Sequence, residues 1–264
     1  GTLWLDVARR DWSDALLAAT GLDRSAMPRL VEGSAPSGTL LPDLVRRWGM
    51  RRAPVVAGGG GDNAATAVGL GAIRAGDAFL SLGTSGVLWA TTGRFAPNPA
   101  AAVHAFCHAL PGLWHQMGVI LSAASALGWW AGVAGRTEAE LLAELPERPA
   151  APSPVLFLPY LSGERTPHND AEVRGVFAGL SHAADRAAMT QAVLEGVAFA
   201  VRDALDALRA AGTEVATADV VGGGSRSRTW IAILASVLGI PLNRLAAGEV
   251  GAALGAARLG RLAA

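Results

Sequence analysis

The sequence contains no lysine, because all 22 of its basic residues are arginine. This absence excludes a Walker-type phosphate-binding lysine and a Schiff-base lysine from the chain. The single cysteine, Cys107, cannot form an intrachain disulfide, so a reducing, cytoplasmic environment is expected. The 22 acidic residues balance the basic ones, and the charge therefore gives no reason to expect nucleic acid or an anionic membrane as a partner.

Two segments of the chain raise the questions of a signal peptide and of a membrane span. Residues 1–6 have no basic region and no long apolar core, so no signal peptide is predicted, and the missing initiator methionine indicates a fragment. Residues 117–135 are uncharged and long enough to raise the question of a membrane span. Their serines, glycines and alanines favour a buried strand followed by a helix instead.

The order of apolar segments predicts an α/β protein with an at least partly parallel sheet. Predicted strands cover 54–57, 78–82, 87–91, 114–121, 155–158, 175–180 and 219–221. Predicted helices cover 4–21, 40–48, 63–70, 122–134, 137–145, 185–211, 229–238 and 248–262. The pattern changes from helices to strands within 72–77, which predicts one domain over 1–74 and another over 75–264.

Asp62 is the first candidate for chemistry. It follows a short apolar strand and four glycines, and an alanine-rich helix begins after it. One interpretation is that Asp62 merely caps this helix. The other is that the glycines leave its carboxylate open to a ligand, where it can take the proton of an attacking hydroxyl as a general base.

Two further glycine-rich turns follow predicted strands. The turn Gly83–Ser85 is either an ordinary hairpin or a phosphate contact made by backbone amides and the hydroxyls of Thr84 and Ser85. Gly222–Gly224, before another helix, would allow close approach of a flat or charged ligand. Neither stretch is a dinucleotide fingerprint or a P-loop.

A compact cluster of His104, Cys107 and His108, with His115 nearby, has the residue types of a metal site. A structural zinc site requires ligands in paired, well-spaced sets, and only one compact set is present here. Cys107 lies among apolar residues, as a core cysteine does. We therefore predict no metal site in this chain.

Four segments taken together resemble the FGGY family of carbohydrate kinases: AGGGGDNAA (57–65), LSLGTSG (80–86), FLPYLSGERTPH (157–168) and VGGGSRS (221–227). The resemblance runs through the chain in order and is greatest to the members that act on D-xylulose. It implies an actin-like, ribonuclease H-like ATPase fold of two lobes with mixed sheets flanked by helices. The phosphate loop of the first lobe is missing, so that lobe is incomplete.

The resemblance also implies the chemistry. ATP with Mg²⁺ would phosphorylate D-xylulose, Asp62 being the general base and Asn63 a sugar contact. Contacts to ATP would come from Gly83, Thr84, Ser85, Gly223, Gly224 and Arg228. A cytoplasmic enzyme that forms a homodimer is implied. The fragment alone is expected to show no turnover in a coupled ATPase assay with D-xylulose. Kinases of ribulose, gluconate or glycerol, and a non-catalytic nucleotide-binding module, remain alternatives.

Overall fold

The computed structural model describes residues 3–245 and 251–264. Its strands are β1 (Leu5–Asp6), β2 (Asp11–Trp12), β3 (Pro36–Thr39), β4 (Val55–Ala57), β5 (Ala78–Leu82), β6 (Gly86–Thr92), β7 (His104–Cys107), β8 (Trp114–Ile120), β9 (Leu156–Leu158), β10 (Val176–Ala178), β11 (Ala218–Val221) and β12 (Leu242–Arg244). Its helices are α1 (Asp14–Ala19), α2 (Pro42–Arg47), α3 (Asp62–Leu70), α4 (Ala124–Ala134), α5 (Glu138–Ala143), α6 (Arg186–Ala210), α7 (Arg228–Leu238) and α8 (Gly251–Ala263).

A six-stranded mixed sheet in the order β12-β11-β5-β6-β8-β7 forms the centre of the molecule. Strands β12, β11 and β5 are parallel, whereas β6, β8 and β7 continue the sheet with antiparallel pairing. Two-stranded ribbons are formed by β1 with β2, β3 with β4, and β9 with β10. The predicted α/β class with a partly parallel sheet is confirmed.

Side chains alternate between the two faces of the sheet along every strand, and both faces carry apolar residues that helices cover. Leu80 and Leu88 belong to a large core that also contains residues of α4, α6 and α7. Phe79 and Trp89 point to the opposite face and pack in a smaller core with residues of α3 and with Leu259 of α8. The sheet is therefore the middle of three layers.

Helices α3 and α8 cross at a contact that only glycine allows. A Cβ on Gly69 would lie 1.8 Å from the carbonyl oxygen of Gly251, and one on Gly255 would lie 1.7 Å from that of Ala65. Both distances are far below van der Waals contact, so any side chain at either glycine would push the helices apart. The lack of side chains at these two glycines therefore allows α3 and α8 to pack with their backbones in contact.

The predicted helix over 4–21 is wrong in its first half. Leu5–Asp6 pairs with Asp11–Trp12 as a small ribbon, and the helix that follows covers only Asp14–Ala19. The chain reverses between the two strands, where Arg10 has a left-handed backbone with φ 57°. A helix cannot pass through such a residue, and helical periodicity alone does not reveal it.

The other differences are small. Strands β3, β7 and β12 were not predicted, because each has only three or four residues. Residues 117–135 form the predicted pair, namely the end of β8 followed by α4. The start of the last predicted helix, at 248, lies outside the described residues. No helix in the described ranges is both long and apolar enough to cross a membrane.

Replacing Gly255 by alanine is expected to destabilise the protein by about 1–3 kcal/mol, because the new methyl group would overlap the backbone of α3. Gly260 on the same helix is the control: a Cβ there meets no atom within 4 Å. Gly260→Ala should be neutral or stabilising by up to about 1 kcal/mol. Urea unfolding of both variants measures the difference, and equal midpoints would contradict the close crossing.

Candidate functional site

A pocket of about 480 Å³ lies at the start of α3. Its walls come from two parts of the chain that are distant in sequence. One part contributes Arg10, Glu32 and the glycine loop with Asp62 and Asn63. The other contributes the end of β7, the residues that follow it, and the β8 residues His115 and Met117. The pocket is mixed in character, with charged, amide, imidazole and apolar groups on its walls.

Asp62 is exposed and is the first residue of α3, preceded by Gly61 as the N-cap. The simpler interpretation, that Asp62 caps the helix, is therefore wrong. Its Oδ1 atom accepts hydrogen bonds from the backbone N–H of Asn63 at 2.7 Å and from the Nδ2 of Asn63 at 3.3 Å. A carboxylate in the first helical turn is stabilised by the partial positive charge of the helix N-terminus.

The chain before Asp62 packs closely against other segments at two glycines, Gly33 and Gly58. A Cβ on Gly33 would lie 2.3 Å from the carbonyl oxygen of Gly59 and 2.5 Å from that of Ala109. A Cβ on Gly58 would lie 2.4 Å from the carbonyl oxygen of Glu32. The loop before Asp62 is thus held between the Glu32–Gly33 backbone and the segment after β7. This packing brings the two walls of the pocket together.

Arg10 also links the two walls. Its Nη1 donates to Glu32 Oε1 at 2.8 Å, and its Nη2 donates to the carbonyl oxygen of Leu113. The guanidinium lies 4.4 Å from the centroid of the Trp114 ring, a cation–π distance. The side chain is 20% exposed, so its ion pair with Glu32 is screened less than one at the surface.

The two histidines of the pocket are neutral at physiological pH. His108 Nδ1 accepts from the backbone N–H of Leu110 at 3.0 Å, so its proton is on Nε2, which donates to the carbonyl oxygen of Ala72 at 3.1 Å. Burial lowers the pKa of His108. Burial, with the charge of a protonated His108 as a smaller cause, lowers the pKa of His115 to about 3. His115 stacks on Trp89, with 3.7 Å between ring centroids.

Two polar atoms of pocket-lining side chains have no hydrogen-bond partner among the described residues. They are Arg10 Nε and His115 Nδ1, and both are buried. Burial of an unpaired polar atom costs about 1–3 kcal/mol. A ligand that formed hydrogen bonds with these two atoms would offset this cost.

The two remaining glycine turns lie side by side at the carboxyl ends of the neighbouring strands β5 and β11. Gly83–Ser85 is the hairpin turn between β5 and β6, with Gly83 N–H donating to the Ser85 carbonyl oxygen at 3.1 Å. Parallel pairing sets Val221 opposite Ser81, so Gly222 lies beside Leu82. Gly222 has φ 88°, and a Cβ there would lie 2.7 Å from the Leu82 carbonyl oxygen. Ligands of open α/β sheets bind at this carboxyl edge of parallel strands.

The turn after β5 also caps α4. The carbonyl oxygen of Gly83 accepts from the N–H of Ala124 at 2.9 Å, and that of Thr84 accepts from Ala123 at 3.0 Å and from Ser125 at 3.3 Å. The first amides of α4, which have no partner within their helix, are satisfied in this way. The side chains of Thr84 and Ser85 remain exposed.

Arg228 is the first residue of α7, directly after the turn that follows β11. Its Nη1 lies 3.3 Å from Glu147 Oε1, and both side chains are exposed, so the ion pair contributes little to stability. Arg228 lines a separate hollow of about 400 Å³ together with Glu147, Arg148 and Arg244. Positive charge thus lies close to the Gly223–Gly224 turn.

The structure thus places the predicted residues in two groups. Asp62 and Asn63 line the pocket, whereas Gly83–Ser85, Gly223–Gly224 and Arg228 are absent from the described residues that line it. Sequence reasoning missed Arg10, Glu32 and the histidines as parts of the pocket. The histidines did give a signal, since their clustering was noticed, but it was considered only as a metal site. In the described residues no group of three or more His, Cys, Asp or Glu is placed to hold a metal ion.

Two models of one protein family match this chain. The model for the N-terminal domain of the FGGY family of carbohydrate kinases matches residues 1–69, and that for its C-terminal domain matches residues 78–264. The pocket is therefore lined by residues from both matched segments. The two matched segments meet between α3 and β5.

Several of the similar proteins are xylulose kinases. The chain is 51% identical to the xylulose kinase of Escherichia coli and 51% identical to that of Klebsiella pneumoniae, in both cases over all of this chain and 54% of the relative. A solved structure of a xyloylose kinase from Brucella ovis is 58% identical, with a TM-score of 0.95 over 98% of this chain and 54% of that one. The chain spans about half the length of the curated relatives it matches. Since the two family models match nearly all of its residues, the chain belongs to the FGGY family of carbohydrate kinases.

Proposed function

We propose that the protein containing this chain transfers the γ-phosphoryl group of ATP to D-xylulose, with Asp62 as the general base. The observation that carries this proposal is the position of Asp62, exposed at the start of α3 on a pocket that both family segments line. Its carboxylate would accept the proton of the sugar hydroxyl as that oxygen attacks the γ-phosphorus. Asn63, on the same wall, would donate a hydrogen bond to the sugar.

The rest of the pocket suits an uncharged polyol. The Asn63 amide offers both a donor and an acceptor without a net charge, as sugar hydroxyls require. Arg10 is already paired with Glu32, so among the described residues the pocket carries no free cation that would favour an anionic substrate. Xylulose kinases among the relatives support D-xylulose as the sugar.

The nucleotide is proposed to bind at the carboxyl edge of β5 and β11. The hydroxyls of Thr84 and Ser85 would contact the phosphates, and Gly83, without a side chain, would let the phosphates approach this turn. Gly223 and Gly224 would pack against the adenosine, and Arg228 would lie beside the base. Phosphoryl transfer requires positioning and charge neutralisation more than covalent catalysis, so the lack of lysine is no obstacle. Mg²⁺ would enter bound to the phosphates of ATP, because this ion keeps several waters and needs few protein ligands.

The proposal includes two lobes, residues 1–74 and 75–264, with 72–77 as the hinge. The boundary between the two family segments, at 69 and 78, supports this division. Because α8 packs on α3 at Gly69 and Gly255, α8 would move with the first lobe when the lobes close over sugar and ATP. Such closure would exclude water from the transfer.

In the full-length protein, Asp62→Asn should lower kcat for D-xylulose by about 10²–10⁴-fold, because the amide cannot accept the proton. ADP release in a coupled assay measures it. Asp185→Asn is the matched control, since Asp185 caps α6 by accepting from Ala188 N–H at 2.8 Å and asparagine caps equally well. Near-normal turnover by Asp62→Asn would show that Asp62 is not the general base. If the unchanged protein phosphorylated ribulose, gluconate or glycerol instead of D-xylulose, the proposed sugar would be wrong.

Gly223→Val should raise KM for ATP about tenfold, equivalent to about 1.4 kcal/mol, and leave KM for the sugar unchanged. A Cβ at Gly223 meets no protein atom within 4 Å, so the fold should tolerate valine, whose methyl groups would enter the space of the nucleotide. Gly132→Val, equally open but on α4, is the control. Steady-state kinetics and thermal melting test this; an unchanged KM for ATP would show that the nucleotide does not approach this turn.

A further inference from the structure

The position of Asp62 depends on the position of α3. Among the described residues, the hydrogen bonds to its carboxylate both come from Asn63, the next residue of the same helix. No neighbouring strand or helix is seen to hold the carboxylate directly. Whatever fixes α3 in the molecule therefore also fixes Asp62.

Helix α8 holds the opposite end of α3. Arg258 Nη1 donates to the carbonyl oxygen of Val68 at 2.8 Å and to that of Gly69 at 3.0 Å. These belong to the last four carbonyls of α3, which have no partner within the helix. A cation at this end is also favoured by the helix dipole. Arg258 lies about one turn beyond Gly255. The glycine crossing contacts α3 between Ala65 and Gly69, and the guanidinium binds the C-terminal end of α3.

We propose that Arg258 is a positioning residue for Asp62, acting through α3. The nine residues of α3 form a rod about 13 Å long, and a tilt of about 5° at one end moves the other end by about 1 Å. A misplacement of this size can cost on the order of 10²-fold in rate. The glycine crossing sets how close the helices lie, and Arg258 fixes the end of α3 against α8. The inference rests on the proposed role of Asp62.

The test uses the full-length protein with Arg258→Met, which keeps the aliphatic stem and removes the donors. We expect kcat for D-xylulose to fall by about 10- to 100-fold and KM for the sugar to rise, because Asn63 moves with Asp62, while KM for ATP changes less than about threefold. Arg258→Lys, which keeps a cation that can donate to one carbonyl, should recover part of kcat. Arg261→Met is the matched control, because Arg261 is exposed on the same helix.

Amide hydrogen exchange of residues 62–72 separates the failure of this inference from the failure of the proposed function, because it needs no turnover. Exchange should become faster in Arg258→Met and remain unchanged in Arg261→Met. Faster exchange with normal kcat would show that the contact holds α3 without positioning Asp62 and would overturn the proposal. Unchanged exchange would overturn it as well. An equal fall of kcat in both variants would show an unspecific effect and count against it.

Discussion

The close crossing of α3 and α8 is the constraint on which most of the structure depends. At this crossing two helices touch through backbone atoms at Gly69 and Gly255, where no Cβ fits. Such proximity lets α3 lie on the sheet beside α8, so that both helices contribute to one core over Phe79 and Trp89. The exposed start of α3 then projects towards the pocket. A contact without side chains thus determines where an important side chain lies.

A second constraint joins the two walls of the pocket. Gly33 meets the Ala109 backbone, and Arg10 contacts Glu32 on one wall and Leu113 on the other. Arg10 adopts a left-handed backbone, which for a residue with a side chain costs about 1–2 kcal/mol. The contacts of its guanidinium offset this cost and make the arginine a bridge between segments that match different family domains.

The sequence allowed four strands of the central sheet, β5, β6, β8 and β11, to be predicted because glycine turns follow them or their apolar residues alternate, as in Phe79 and Leu80 on opposite faces. It did not allow the N-terminal ribbon to be predicted, since the reversal depends on the left-handed Arg10. Edge strand β7 was overlooked because its residues pair on one side only and include His104 and Cys107, which suggested metal chemistry.

Some residues of the candidate site were predicted from the sequence, and others were not. Asp62 and the turns at Gly83 and Gly222 were found because glycine next to a strand end is a local signal. Arg10 and His115 were missed as pocket residues because they are about a hundred positions apart and meet only through tertiary packing. No local pattern shows which buried nitrogen will lack a partner, since this depends on every neighbour in space.

The cap of α4 has a consequence for how the turn after β5 can vary. The amides of α4 are bound by the main-chain oxygens of Gly83 and Thr84, while the side chains of Thr84 and Ser85 lie outside this arrangement. The shape of the turn is thus encoded in the backbone, and its surface chemistry in the side chains. Evolution can alter one without disturbing the other, so this corner of the molecule can change its ligand preference without losing its helix. An anion bound at this turn would therefore be held by the turn itself and not by the first amides of α4.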